Sequence, residues 1–148
     1  MKFGLLLPNF GDHSHPRKLA ELANVAEDAG WDGFFIFDHI LPSVPGTPVV
    51  DPWIAMSAIA MATNRIRLGP MVTPLPRRRP WKLARETASL DSLSDGRLTI
   101  GLGLGGPPDR EFETFGEESN DKVRAAQLDE GLDVLTGLWK GERFSYEG

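Results

Sequence analysis

The sequence predicts an α/β fold in which parallel strands alternate with helices packed outside the sheet. Two observations carry this. Apolar, strand-like runs begin near Lys2, Gly33, Arg65 and Arg97, and each is followed by a segment with helical periodicity. Regular alternation of this kind marks a parallel sheet joined by helical crossovers. The second run, Gly33-Phe34-Phe35-Ile36-Phe37, is apolar after its glycine, as expected of a strand covered on both faces. In such folds the chemistry gathers at the C-terminal ends of strands. Asp38-His39 stands directly after that run and is the first site candidate.

The first strand spans about Lys2 to Leu7 and stops at Pro8-Asn9. After the loop Gly11–Pro16 a helix starts at Pro16, where a missing N–H costs nothing. Leu19, Leu22, Ala23 and Ala26 share its inner face, and Gly30 ends it. The second strand, Gly33 to Phe37, leads into a long loop with Pro42, Pro45, Gly46 and Pro48; loops of this length are often functional. Asp51-Pro52 opens the second helix as cap and first residue. Its expected inner face is Ile54, Ala55, Ala58, Ile59 and Ala62.

The third strand covers about Arg65 to Val72. Pro70 and Pro74 bracket its end, which implies a bulge or a distorted peptide. Pro80 opens the third helix, with Leu83, Ala84, Thr87 and Leu90 inward, and Asp95-Gly96 makes a turn. The fourth strand is expected from Arg97 to Leu104. Pro107-Pro108-Asp109 starts a short helix, and a long one runs from Asp121 to Trp139 with Leu128, Leu132, Leu135 and Trp139 on one stripe. A last short strand is expected at Arg143–Tyr146.

The chain has 148 residues, enough for one domain with one sizeable core, taken as residues 1–148. A closed eight-stranded barrel needs roughly 250. Four units therefore make either a small open sheet or the first half of a barrel. A net charge of -5 argues against nucleic acid as the main partner. No apolar run is long enough to span a membrane, and the N-terminal run is too short for a signal peptide. Cysteine is absent, which excludes disulfides and thiolate metal sites. A cytoplasmic protein is expected.

His39 carries an imidazole that can move a proton near neutral pH; the alternative is a hydrogen-bonded loop histidine. Asp38 and His39 point to opposite faces if the strand continues, so they are not expected to form a couple. Gly101, Gly103 and Gly106 match the pattern G-x-G-x-x-G. They follow a fourth strand rather than a first, and prolines follow them, so a dinucleotide loop is disfavoured. Glycine there lets a flat ligand approach backbone. Arg77-Arg78-Arg79 reads as a solvated loop, with a phosphate or carboxylate clamp as the rival; an anionic neighbour such as Asp51 or Glu86 is expected to offset it. His13 and His15 make a poor metal site, and no metal is expected. No nucleophile elbow or P-loop is present.

Several segments, in order, resemble the bacterial-luciferase-like superfamily of flavin- and deazaflavin-dependent oxidoreductases. They are Phe3–Pro8, Ala26–Gly33, Asp38-His39, Thr63–Gly69, Leu90–Leu98, Gly101–Gly103, Glu111-Phe112 and Leu128–Leu132. The similarity spans essentially the whole chain. It implies a (β/α)₈ barrel of the TIM type, with this chain covering about the first four βα units, a half-barrel. It also implies a non-proline cis peptide at Met71-Val72 beneath the cofactor ring.

By the same resemblance, FMN or a deazaflavin coenzyme is the cofactor, and Asn9, Met71, Val72, Thr73 and Gly103 are its contacts. Met71, Val72 and Thr73 would pack beneath the ring. Asn9 and Asp38 would bond ligand or loop, and His39 with Asp38 would form the catalytic pair of positions. The family's phosphate anchor lies mostly in the second half. Sugar-phosphate dehydrogenases of the superfamily carry threonine and glutamate where this chain has Leu104 and Gly106, which sets it apart from them.

The expected activity is monooxygenase-like, with reduced FMN from a separate flavin reductase and oxygen acting on a small organic substrate. Deazaflavin-dependent hydride transfer is the alternative. A third reading is a non-catalytic half-barrel that must pair, because open strand edges invite partners; a homo-oligomer is expected.

Overall fold

In the computed structural model, which describes residues 1–147, three strands form one parallel sheet. They are β1 (Gly4–Leu7), β2 (Gly33–Ile36) and β3 (Arg67–Pro70), hydrogen-bonded in that order. Gly4 faces Gly33, and Gly33 faces Arg67. Two short strands, β4 (Thr73–Pro74) and β5 (Leu102–Gly103), pair in parallel beside it. Four long helices cross between or follow the strands: α1 (Pro16–Asp28), α2 (Pro52–Ala62), α3 (Pro80–Leu93) and, after the one-turn α4 (Pro108–Glu111), α5 (Asp121–Trp139).

The expected fourth strand, Arg97–Leu104, is regular only at Leu102–Gly103. Its backbone nevertheless follows β3. The Leu68 N–H donates to Arg97 O at 3.2 Å, and Thr99 N–H donates to Leu68 O at 2.8 Å. The next rung would need an N–H from Pro70, which proline lacks. Gly101 N–H still donates to Pro70 O at 3.0 Å, the Met71–Val72 peptide that follows is cis, and Thr73 N–H donates to Gly101 O at 2.8 Å. One missing donor and one bulge thus break a strand that the sequence presents as continuous. The expected strand at Arg143–Tyr146 is absent, and those residues lie in irregular chain.

Helix ends follow the local chemistry. Asp51 accepts hydrogen bonds from the N–H groups of Trp53 and Ile54 and so caps α2. Gly30 takes φ +88° after α1, a conformation that glycine adopts without a Cβ clash. The inner face of α2 is displaced from expectation. Ile54 is exposed, whereas Trp53, Met56 and Ala60 join Ala55 and Ile59 in the core. The inner face of α3 is Leu83, Ala84, Thr87 and Leu90, as its periodicity implies.

The core lies between the sheet and the helices. Phe34, Ile36 and Leu68 meet Leu19 and Ala23 of α1, Met56 and Ile59 of α2, Leu83 and Leu90 of α3, and Leu135 of α5. Alternation sends Leu6 and Phe35 to the other face of the sheet, where Leu6 is 48% exposed. Along the sheet's outer edges, β1 pairs only with β2, and β5 only with β4.

The N-terminal end of the sheet is fastened by two charged side chains. Glu27 accepts from the N–H groups of Asn64, Arg65 and Ile66. Burial alone would raise its carboxyl pKa, but those amides and the Arg65 charge hold it below the ordinary value. Arg97 donates to the carbonyls of Ala60, Thr63, Ile66 and Ser94 and to the Thr63 hydroxyl. It thereby closes the C-terminal end of α2, where a cation also suits the helix dipole. The loops that follow the strands lie at the opposite end of the sheet.

Candidate active site

The loops after β2, β3, β4 and β5 meet at the C-terminal ends of the strands. They enclose a cavity of about 300 Å³ lined by Phe37, Asp38, His39, Met71, Val72, Arg77, Gly106 and Glu111, among others. A larger open groove, about 640 Å³, lies between α3 and α5 against Leu98, Ile100 and Leu102. It contains none of the residues at the strand ends and is a gap in the helical layer.

Asn9 organises the two loops that form one wall. It is fully buried. Its amide donates to His39 O at 2.9 Å and Val50 O at 2.8 Å, and its oxygen accepts from His39 N–H at 3.1 Å. The carboxamide is spent on the loop, the second of the two partners expected for it. The result is a fixed backbone at His39.

Asp38 and His39 diverge, as expected for adjacent residues. The Asp38 carboxylate is buried and accepts from Thr73 Oγ1 at 2.9 Å, from Arg77 Nη2 at 3.1 Å and from Arg78 Nη2 at 2.7 and 2.8 Å. Thr73 is itself fully buried. The pair joins the end of β2 to the chain just past the bulge. His39 points elsewhere. Its ring stands edge-on to Phe10 and Phe37, with centroids at 5.7 and 5.5 Å, and its side chain is 31% exposed. Its Nδ1 lies 3.0 Å from Glu111 Oε1.

Glu111 is the residue that the sequence did not single out by role. It appeared only within the motif Glu111-Phe112. Its carboxylate is 1% exposed and also accepts from the N–H groups of Ile40 and Leu41, at 3.0 and 3.2 Å, and from Arg77 Nη1 at 2.7 Å. Burial alone would raise its carboxyl pKa. The bonds from His39, Ile40 and Leu41 and the Arg77 charge outweigh that and lower it to about 2.

The arginine run is corrected by these contacts. Arg77 is 5% exposed and bridges Asp38 and Glu111, while Arg78 is partly buried on Asp38. Their counter-charges are these two carboxylates, not Asp51 or Glu86. Only Arg79 matches the solvated reading: it makes no cap bond at α3 and sits over the exposed Trp81 ring at 5.9 Å. The short-range turn Leu75–Arg77 turns the run inward. The signal available in the sequence was three adjacent cations; the carboxylates they meet are 34 to 40 residues distant.

Met71 and Val72 form the floor. They are large and apolar, yet 36% and 40% exposed. Gly101 and Gly103 pass beside them. A Cβ on Gly101 would lie 2.9 Å from Pro70 O and 3.0 Å from the Met71 sulfur, and one on Gly103 would lie 3.1 Å from Val72 Cγ2. A side chain at Gly101 would press on the backbone at Pro70, and one at Gly103 would crowd the Val72 side chain. Behind the wall, Arg124 of α5 donates to Leu104 O and Gly105 O and stacks on Phe112 at 4.3 Å, fixing the loop that follows β5.

An apolar floor with a polar wall fits a flat heteroaromatic ring. Arg77, the cation lining the cavity, is bonded to two carboxylates, so among the described lining residues no uncompensated cation is left for a phosphate. The observed donor set therefore suits the ring of a flavin or deazaflavin and not its phosphate end.

A family model described as luciferase-like monooxygenase matches residues 1–148. Among curated relatives, an F420-dependent glucose-6-phosphate dehydrogenase from Nakamurella multipartita is 35% identical, over 90% of this chain and 40% of the relative. Among solved structures, monooxygenase RslO1 from Streptomyces bottropensis superposes with a TM-score of 0.86 at 31% identity. The match covers 100% of this chain and 46% of that one. An F420-dependent secondary alcohol dehydrogenase in complex with an F420-acetone adduct gives 0.87 at 25% identity, over 99% and 44%. The chain thus spans less than half the length of the proteins it matches.

Proposed function

Because this chain belongs to the luciferase-like monooxygenase family, we propose that it forms the ring-binding half of a flavin- or deazaflavin-dependent oxidoreductase barrel. The observation that carries this reading is the exposed Met71–Val72 floor with the His39 imidazole on the adjoining wall. When bound, the cofactor ring supplies the redox chemistry. The chain's residues do the rest. Met71 and Val72 support the ring, and Gly101 and Gly103 let the backbone pass close to that support. Asp38 and Thr73 tie the end of β2 to the chain beyond β3, and Asn9 fixes the backbone of His39. His39 gives or takes a proton at the substrate. The phosphate end and part of the substrate pocket come from four further βα units, which would close the open strand edges into a (β/α)₈ barrel.

Hydride transfer with a deazaflavin is the reading favoured by the curated relatives, which are named as F420-dependent dehydrogenases at 32–35% identity. An acid/base imidazole beside the ring also suits oxidation of a hydroxyl, whose proton must leave as the hydride does. The substrate is a small alcohol or carbonyl compound. Leu104 and Gly106, in place of the threonine and glutamate of sugar-phosphate dehydrogenases, argue for a partner other than a sugar phosphate. The similarity to RslO1 supports monooxygenation as the second reading; there a separate reductase would deliver reduced FMN.

His39→Ala in the complete enzyme tests the site. Turnover is expected to fall about a hundredfold, since a positioned proton-transfer group acts in the transition state. Fluorescence titration with deazaflavin should show little loss of affinity, and binding tighter than that of FMN. Unchanged turnover would demote His39 to a loop residue.

A further inference from the structure

We propose that Glu111 and Arg77 are positioning residues that set the tautomer of His39, placing its proton on Nδ1 and presenting a bare Nε2 to the bound substrate. This inference rests on the reading of His39 as the proton-transfer group. Its basis is geometric. Four donors surround the Glu111 carboxylate: Nδ1 of His39 and the Leu41 N–H on Oε1, and Arg77 Nη1 and the Ile40 N–H on Oε2. With the carboxylate ionised, it can only accept. An unprotonated Nδ1 would leave two acceptors facing each other at 3.0 Å. The neutral imidazole therefore carries its hydrogen on Nδ1, and Nε2 holds the lone pair.

Arg77 secures the ionised state. A carboxylate this deeply buried is stable only when paired, and Arg77 supplies the paired charge. The same guanidinium reaches Asp38 O and Oδ1 at 2.9 and 3.1 Å, and Arg78 completes the neutralisation of Asp38. The aromatic and charged neighbours of the imidazole balance as follows. Phe10 and Phe37 are uncharged and stand T-shaped to the imidazole. Glu111 is the charge in direct contact, Arg77 stands behind it, and the Asp38–Arg78 pair lies beyond with no net charge. Glu111 does not touch the reacting atoms. It acts through His39, holding the ring's tautomer and orientation, as a carboxylate behind an imidazole does in hydrolases of unrelated fold.

The test reads the two imidazole nitrogens of His39 directly by long-range ¹H–¹⁵N NMR, without substrate. The wild-type chain is expected to show Nδ1 protonated and Nε2 bare at neutral pH. In Glu111→Gln the amide oxygen should stay with the Arg77 and Ile40 donors and the NH₂ should face Nδ1, so that the imidazole proton moves to Nε2, and Glu111→Asp should restore the wild-type tautomer. A wild-type imidazole protonated on Nε2 would overturn the proposal, and that measurement stands even if the glutamine variant does not fold. An unchanged tautomer in a folded Glu111→Gln chain would overturn it equally. Because the tautomer is read without turnover, its outcome is separate from that of His39→Ala.

Discussion

Replacing Glu111 by glutamine should cost this chain stability in a manner that depends on pH. The carboxyl is lowered from 4.5 to about 2 in the folded chain. A group whose folded pKa is depressed contributes stability above its unfolded pKa and loses it as pH falls toward the folded one. The shift corresponds to about 3 kcal/mol at pH 7, fully present above about pH 5. The linkage relation leaves about 2 kcal/mol at pH 3.5, and the remainder vanishes below about pH 2.

Glutamine keeps the size and one acceptor oxygen but has no charge, so it resembles the protonated glutamate. The gap between wild type and Glu111→Gln should therefore be about 3 kcal/mol at pH 7 and narrow steadily below pH 5. Urea unfolding followed by tryptophan fluorescence, at one fixed protein concentration, measures both chains across this range. Carboxylates remote from Arg77 titrate alike in both proteins and cancel in the difference. A gap that stays constant from pH 7 to pH 3.5, or no gap at all, would refute the claim that Glu111 is held ionised by its neighbours.

Arg97→Met should destabilise the chain by about 3 kcal/mol or more, because the carbonyls of Ala60, Thr63 and Ile66 lose their donor in a partly buried setting; thermal unfolding beside wild type measures this, and a change within 0.5 °C of zero would count against a fastening role. The 148-residue chain on its own should not behave as a monomer, since the outer edge of β1 and the exposed Leu6 face are uncovered. Size-exclusion chromatography with light scattering should show dimers or larger species, and a clean monomer that unfolds cooperatively would contradict the half-barrel reading.

Much of this chain could be read before it was folded. The bounds of α5, the Asp51 cap, the inner face of α3 and the stop at Gly30 all depend on residues within a turn or two of one another. Periodicity and capping are local, so the linear sequence contains them. The apolar run before Asp38 placed those residues at a strand end for the same reason, and the resemblance located the bulge at Met71-Val72. The contacts of Asn9 were only half legible, because its residue type suits a ligand and a loop equally, and its three bonds to His39 and Val50 join residues 30 and 41 positions away.

What tertiary structure alone decided is the electrostatics of the site. Arg77 and Arg78 read as surface cations because their carboxylates are far along the chain, on β2's exit and on α4. The separation of Glu111 from His39 is 72 residues, and no local pattern reaches that distance. The fourth strand likewise looked whole, since its interruption arises from a donor that its neighbour, Pro70, does not have. Pairing and charge compensation are properties of two segments at once. Each segment states only its own half, and the fold brings the halves within hydrogen-bonding distance.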